Sequence, residues 1–245
     1  MICASTASSA SASPGGEPTL HPDLLGMLRH ARRIGLETSI ITNGAKLDDE
    51  MLGELDAVGI TLDATDDKVI ERLGRGLPGR RSYLEHTRDI VGRARRAGCA
   101  IKINTVVTSL NVGERLSAEI VTLRPYKWKA MQFTHVPGEN DRDAGRLRVS
   151  DTDFLRFVDR HAPVREAGIW VEAESASVIQ RTYVMVDPAG RVFQHGVDGH
   201  RISPPVLDVG IDAALASVGG YDRAAFRARG GHLDVRRLPV LGGAR

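Results

Sequence analysis

Short apolar runs that read as strands alternate with amphipathic stretches that read as helices, and few residues separate them. This alternation constrains the fold more than any other feature of the chain. Pro22 sits at a first-turn position, and Leu24, Leu25, Leu28 and Ala31 recur at helical spacing until Gly35 stops the helix. A strand Leu36–Ile41 follows and ends in the turn Thr42-Asn43-Gly44. The spacing then predicts a helix over Asp48–Leu55, a strand over Val58–Leu62 that ends in Asp63, and a loop around Gly74-Arg75-Gly76. A long helix Ser82–Ala97, a strand Ala100–Val107, a helix Glu114–Leu123 and a strand Trp128–Phe133 complete the series. Strands joined through helices by short connections must run parallel, so the class is α/β. Beyond Phe133 the pattern loosens into a polar loop Gly138–Arg148 and a helix Asp151–Arg160. A hairpin of Tyr183–Val186 and Arg191–Gln194 follows, then short helices near Ile211–Val218 and Arg223–Arg227.

Composition narrows the partners. The 245 residues carry 33 Lys+Arg against 31 Asp+Glu, so net charge gives no pull towards nucleic acid or an acidic membrane. The basic runs at 29–33, 79–81 and 93–96 lie beside acidic residues, and at 4% aromatics few rings are available for base stacking, so they read as solvated surface. No run approaches the ~20 apolar residues of a membrane helix. A soluble, cytoplasmic protein with no membrane or nucleic-acid partner is expected. Residues 1–14, mostly Ala and Ser, read as a disordered leader without the apolar stretch of a signal peptide. Residues 15–135 would form the β/α unit and 136–245 an α+β extension.

In parallel β/α folds ligands bind at the carboxyl ends of the strands. Here those ends supply Thr42-Asn43-Gly44, Asp63, Lys102 with Asn104, and Gln132. Lys102 and Asn104 are two apart and share a strand face, where they meet a ligand or an internal partner, or where Lys102 snorkels or pairs with a core carboxylate. Gly15-Gly16-Glu17-Pro18 is either an ordinary turn or a carboxylate cradle for an ammonium group.

Taken together, GGEPTL (15–20), ITNG (41–44), TLDA (61–64), GRG (74–76), KINT (102–105), KWKAMQF (127–133), PGEN (137–140), DVG (208–210) and RGG (229–231) resemble the order and spacing of viperin and its prokaryotic relatives, which are radical S-adenosylmethionine (SAM) enzymes. The resemblance runs from Gly15 to Gly231. It implies a partial (β/α) barrel in which SAM yields a 5′-deoxyadenosyl radical that takes hydrogen from C4′ of a ribonucleoside triphosphate. Loss of water then leaves the 3′-deoxy-3′,4′-didehydro analogue of CTP, UTP or GTP, an antiviral product. By position, Gly15, Gly16, Glu17 and Pro18 would hold the SAM amino group, and Thr42, Asn43, Asp63 and Arg75 its carboxylate and ribose. Lys102, Asn104, Lys127, Lys129 and Arg229 would surround the nucleotide, with His200 or Arg201 adding a charge for the phosphates. Tyr183 falls where the family carries a tyrosine thought to return an electron and a proton to the product radical. A flavodoxin- or ferredoxin-type electron donor is implied as well.

The family holds a [4Fe–4S] cluster through CxxxCxxC. This chain has two cysteines, Cys3 and Cys99, far apart, which cannot replace three clustered thiolates. Together with the Ala/Ser run before Gly15, this leads to the expectation that the first β/α unit is missing from this chain, through truncation, frame shift or splitting. The strand Leu36–Ile41 is then expected to expose an open edge. A nucleotide-binding remnant without redox chemistry is the alternative reading. Another radical SAM branch is the third, and the lysine pairs, which suit a polyphosphate, speak against it.

Overall fold

The computed structural model describes residues 2–4, 17–76, 82–138, 140–176, 183, 185–196, 199–222 and 224. In chain order the elements are β1 (Ile2–Ala4), a 3₁₀ turn (Pro18–Leu20), α1 (Leu24–Arg33), β2 (Thr38–Thr42), α2 (Asp49–Gly53), β3 (Ala57–Thr61) and α3 (Asp67–Arg72). Then come α4 (Tyr83–Arg96), β4 (Ala100–Val107), α5 (Ser117–Leu123), β5 (Lys127–Gln132), α6 (Asp141–Leu147), α7 (Asp151–Arg160), α8 (Ala162–Glu166) and β6 (Trp170–Glu174). A second unit holds β7 (Met185–Val186), β8 (Arg191–Gly196), β9 (Gly199–Pro205), α9 (Val206–Val209) and α10 (Ile211–Ser217).

The main sheet has six parallel strands in sequential order, β1 to β6. Sequential order with right-handed crossovers places the main connecting helices on one side, while α3 and α6 join a smaller cluster with Phe133 and Val106 at the carboxyl ends of the strands. The core shows this arrangement. Ile40, Val58, Ile60, Ile101, Ile103 and Trp128 from one sheet face form a single cluster with residues of α1, α2, α4, α5, α7 and α8. The opposite face is left for other chemistry. This is a partial barrel; a separate antiparallel sheet, β7-β8-β9, packs Val192 against Ala214 and Val218 of the α10 region.

Three segments differ from the sequence reading. Ile2–Ala4, expected to be leader, pair in register with Thr38–Ile40, so β2 is not the edge strand and the exposed margin is the short β1. Residues 5–14 of the expected leader lie outside the described residues. The polar loop Gly138–Arg148 contains α6, which starts at Asn140 and carries Asp141 and Asp143 in its first turn, where negative charge meets the helix dipole. Finally, the main sheet reaches beyond Phe133: β6, within the expected extension, pairs with β5. The expected helix near Arg223–Arg227 falls almost wholly outside the described residues. Among the described residues no helix is long and apolar enough to cross a membrane.

His161 joins α7 and α8 to the outer core. Its Nε2 accepts the Leu116 N–H at 2.9 Å, its Nδ1 donates to the Phe157 carbonyl at 2.7 Å, and its ring lies 4.3 Å from Phe157 and 5.1 Å from Trp128. Burial holds its pKa below the ordinary 6.5, so the folded state keeps it neutral. The unfolded chain therefore takes up the proton first as pH falls. The stability this neutral ring contributes is present above pH 6.5 and is lost as pH drops from there towards the folded pKa. His161→Leu leaves the Leu116 N–H unsatisfied at a cost of about 1–3 kcal/mol at pH 7.5. Thermal unfolding should show the gap between native and variant shrinking at pH 5.5; an unchanged gap would count against the assignment.

Candidate ligand-binding face of the sheet

The face turned away from the helices is built in rows, because residues in register on parallel strands point the same way. One row is Ile41, Gly59, Lys102, Lys127 and Trp170. The next is Thr61, Asn104, Lys129 and Glu172, and the third, towards the carboxyl ends, is Val106, Met131 and Glu174. Apolar residues supply the other face of the same strands, so the period of two in KIN and KWK separates core from site.

Gly59 makes room on this face. A Cβ there would stand 3.0 Å from Asn104 Nδ2 and 3.0 Å from Ile41 Cγ1, so the Asn104 side chain lies over the bare backbone of β3. Asn104 is 2% exposed, and among the described residues neither its Oδ1 nor its Nδ2 has a hydrogen-bond partner. A buried amide with both ends unsatisfied is costly and suits a place where a ligand supplies the missing bonds.

Lys127 and Lys129 do not stand as open cations. Lys127 Nζ meets Glu172 Oε2 at 2.6 Å and lies 4.1 Å from the centre of the Trp170 ring. Lys129 Nζ is 2.7 Å from Glu174 Oε1 and 3.6 Å from Glu172 Oε1, and it donates to the Tyr183 hydroxyl. That hydroxyl donates in turn to Glu174 at 2.8 Å, bringing Tyr183 onto the lysines. Burial opposes charge on Lys129, yet Tyr183, Glu174 and Glu172 around it raise its pKa. Burial likewise works against the Glu172 carboxylate, but Lys129, Lys127 and Lys102 hold it well below the usual range. Lys102 stands in register with Lys127, and its charge also acts on Glu172. Glu172 and Glu174 were missed at the sequence level. The available signal was the alternation in Trp170–Glu174, with acids two apart that match KWK in sign and spacing.

A second cluster lies at the carboxyl ends of β2 and β3. Glu17 accepts the Asn43 N–H at 2.7 Å and the Thr19 hydroxyl at 2.7 Å, and it also accepts the Thr42 hydroxyl. The GGEP and ITNG strings therefore meet, through the carboxylate that the resemblance gave to an ammonium group. His86 on α4 holds the Asn43 carbonyl at 2.8 Å. Asp63 is 1% exposed, pairs with Arg75 and accepts the Val106 N–H at 2.7 Å; burial pushes its pKa up against both partners. Tyr83, another residue the sequence reading missed, is buried beside this cluster and donates to the Thr61 carbonyl at 3.1 Å. Burial foremost, with the charge of Asp63, raises its pKa.

Pro18 opens the 3₁₀ turn. His200 and Arg201 lie on β9 of the small sheet, His200 edge-on to Phe193 and Arg201 exposed. Gly15, Gly16 and Arg229 lie outside the described residues. Cys99 does not fit an iron–sulfur cluster. It is buried, donates to the Leu52 carbonyl at 3.1 Å, and burial pushes its thiol up to about 12, the opposite of a ligating thiolate. Among the described residues no three His, Cys, Asp or Glu gather as a metal site.

Two variants test this geometry. Gly44 has φ +72°, and a Cβ there would lie 2.0 Å from Ile90 Cδ1. Gly44→Ala should destabilise the chain by about 2 kcal/mol or more through strain and overpacking. Lys129→Met leaves Glu174 buried without its ammonium partner, and denaturant unfolding should register a loss of about 3–5 kcal/mol.

Residues 10–116 match the family model described as "Radical SAM superfamily". The chain is 34% identical over 222 residues to the S-adenosylmethionine-dependent nucleotide dehydratase of Lacinutrix mariniflava, covering 89% of this chain and 46% of that protein. It is 31% identical over 214 residues to the protein of the same name from Flammeovirga pacifica, covering 85% of this chain and 72% of that one. It thus spans about half the length of the first relative and nearly three quarters of the second. Its fold is similar to that of Streptococcus suis SuiB bound to S-adenosylmethionine, with a TM-score of 0.51 at 19% identity over 65% of this chain and 38% of SuiB. By its identity to these relatives over most of its length, the chain belongs to the viperin-like family of S-adenosylmethionine-dependent nucleotide dehydratases.

Proposed function

We propose that this chain binds a ribonucleoside triphosphate and SAM on the open face of its half-barrel and serves the dehydration that its family is named for. The substrate would be CTP, UTP or GTP, and the product its 3′-deoxy-3′,4′-didehydro analogue. The observation that carries this reading is the gathering of Lys102, Asn104, Lys127 and Lys129 in adjacent positions on one buried face. Three ammonium groups at two neighbouring strands suit a polyphosphate, and the unsatisfied Asn104 amide suits a hydroxyl or a base edge.

SAM would lie across the ends of β2 and β3. Glu17, Thr42, Asn43, Asp63 and Arg75 supply acceptors for an ammonium group and donors for a carboxylate and ribose there, and the resemblance assigns Gly15, Gly16 and Pro18 to the same ligand. SAM when bound supplies the hydrogen-abstracting group. The residues of this chain orient the nucleotide, exclude water and keep a phenol, Tyr183, hydrogen-bonded beside the lysines. His200, Arg201 and Arg229 would reach the phosphates from the C-terminal region. An electron donor of flavodoxin or ferredoxin type and an antiviral role belong to the same reading.

The misfit of Cys99 to a cluster favours a second reading, in which the chain binds nucleotide without redox chemistry. Calorimetry with CTP, UTP, GTP and a nucleoside without phosphates should show binding of a triphosphate and none of the nucleoside. Lys129→Gln should weaken that binding at least about tenfold, the scale of one charge-assisted contact. After anaerobic reconstitution with iron and sulfide, release of 5′-deoxyadenosine alongside the didehydro nucleotide supports the enzyme. Binding without either product supports the second reading, and no triphosphate binding overturns both.

A further inference from the structure

Each lysine head on β5 is held by a carboxylate of β6. Glu172 bridges the pair, Oε2 to Lys127 at 2.6 Å and Oε1 to Lys129 at 3.6 Å, and Glu174 holds Lys129 at 2.7 Å. The carboxylates are 7% and 1% exposed, so ammonium groups have taken the place of their water. Lys102, in register with Lys127, adds its field at Glu172. Three cations and two anions therefore share the patch.

Any anion that binds these lysines competes with two resident anions fixed to the neighbouring strand. Lys102 and Lys127 stand about 5 Å apart across strands, and Lys127 and Lys129 about 7 Å apart along one. A chain of linked phosphates can address all three at once, whereas a single phosphate must win against the glutamates at one point. We propose that Glu172 and Glu174 are internal counter-anions that set the binding threshold of this face, admitting a polyphosphate and rejecting a lone phosphate. The inference rests on the polyphosphate reading above and adds the element that selects for charge.

The test uses the full chain with inorganic tripolyphosphate and orthophosphate as probes, at one fixed ionic strength, by calorimetry. Glu172→Gln keeps the shape and removes the charge. It should bind tripolyphosphate about tenfold more tightly and narrow the preference for tripolyphosphate over orthophosphate. Lys127→Met/Glu172→Gln removes both members of the pair, which spares the fold an unpaired buried charge. It loses a cation and a competitor together, so its tripolyphosphate affinity should stay within about threefold of the native chain. If Glu172→Gln binds no more tightly, or the double variant binds about tenfold more weakly than native, the proposal is wrong while the polyphosphate reading stands. If no protein in the set binds tripolyphosphate, both fall. Should Glu172→Gln fail to fold, the double variant against native decides alone.

Discussion

Two ammonium and two carboxylate groups sit buried on one patch of β-sheet with Lys102 beside them, and the alignment of the strands keeps them paired. A buried charge without a partner costs several kcal/mol, while a matched set in good geometry roughly offsets its own desolvation. Lys127 and Lys129 reach that condition because β6 lies beside β5 with Glu172 and Glu174 each two residues beyond the position opposite the lysine it holds, so both short ion pairs run diagonally. Tyr183 then closes the set from beyond the sheet, bonded to both a lysine and a glutamate. Ionic pairing thus adds to the packing of Val171 against the helix-side core in holding the last strand in this register.

The apolar side of the fold was legible because its period is strong. Ala100–Val107 was read with its observed limits, since β-branched residues alternate with Lys102 and Asn104 on a strand buried by helices. Helix α4 was bounded to within a residue at each end by Ser82, whose side chain caps it, and by Gly98 just beyond its last turn. What stayed hidden were elements whose stability comes from elsewhere in the chain. Trp170–Glu174 carries glutamates and alanine, poor strand formers, and becomes a strand because lysines lie opposite. Three residues, Ile2–Ala4, are too few to show any period, and their pairing with β2 is a tertiary fact.

The site was legible in membership more than in state. Spacing put Lys102 and Asn104 on one strand face, the family resemblance added Lys127 and Lys129, and the rows of the sheet set all four side by side. Their partners were not foreseen, because ion pairing across strands depends on register, which no local string encodes. Glu17, Thr42 and Asn43 came from strings over twenty residues apart, and one carboxylate joins them. Asp63 and Arg75 likewise pair with each other before any ligand arrives.

Gly59 has a consequence for the shape of this face. Where β3 carries only the backbone of Gly59, the Asn104 amide leans across from β4, while β4 and β5 raise lysines beside it. The sheet therefore has a direction across its strands as well as along them. One missing side chain on β3 thus gives the Asn104 amide its berth between bare backbone and the lysine rows, and any larger residue at Gly59 would push it towards them.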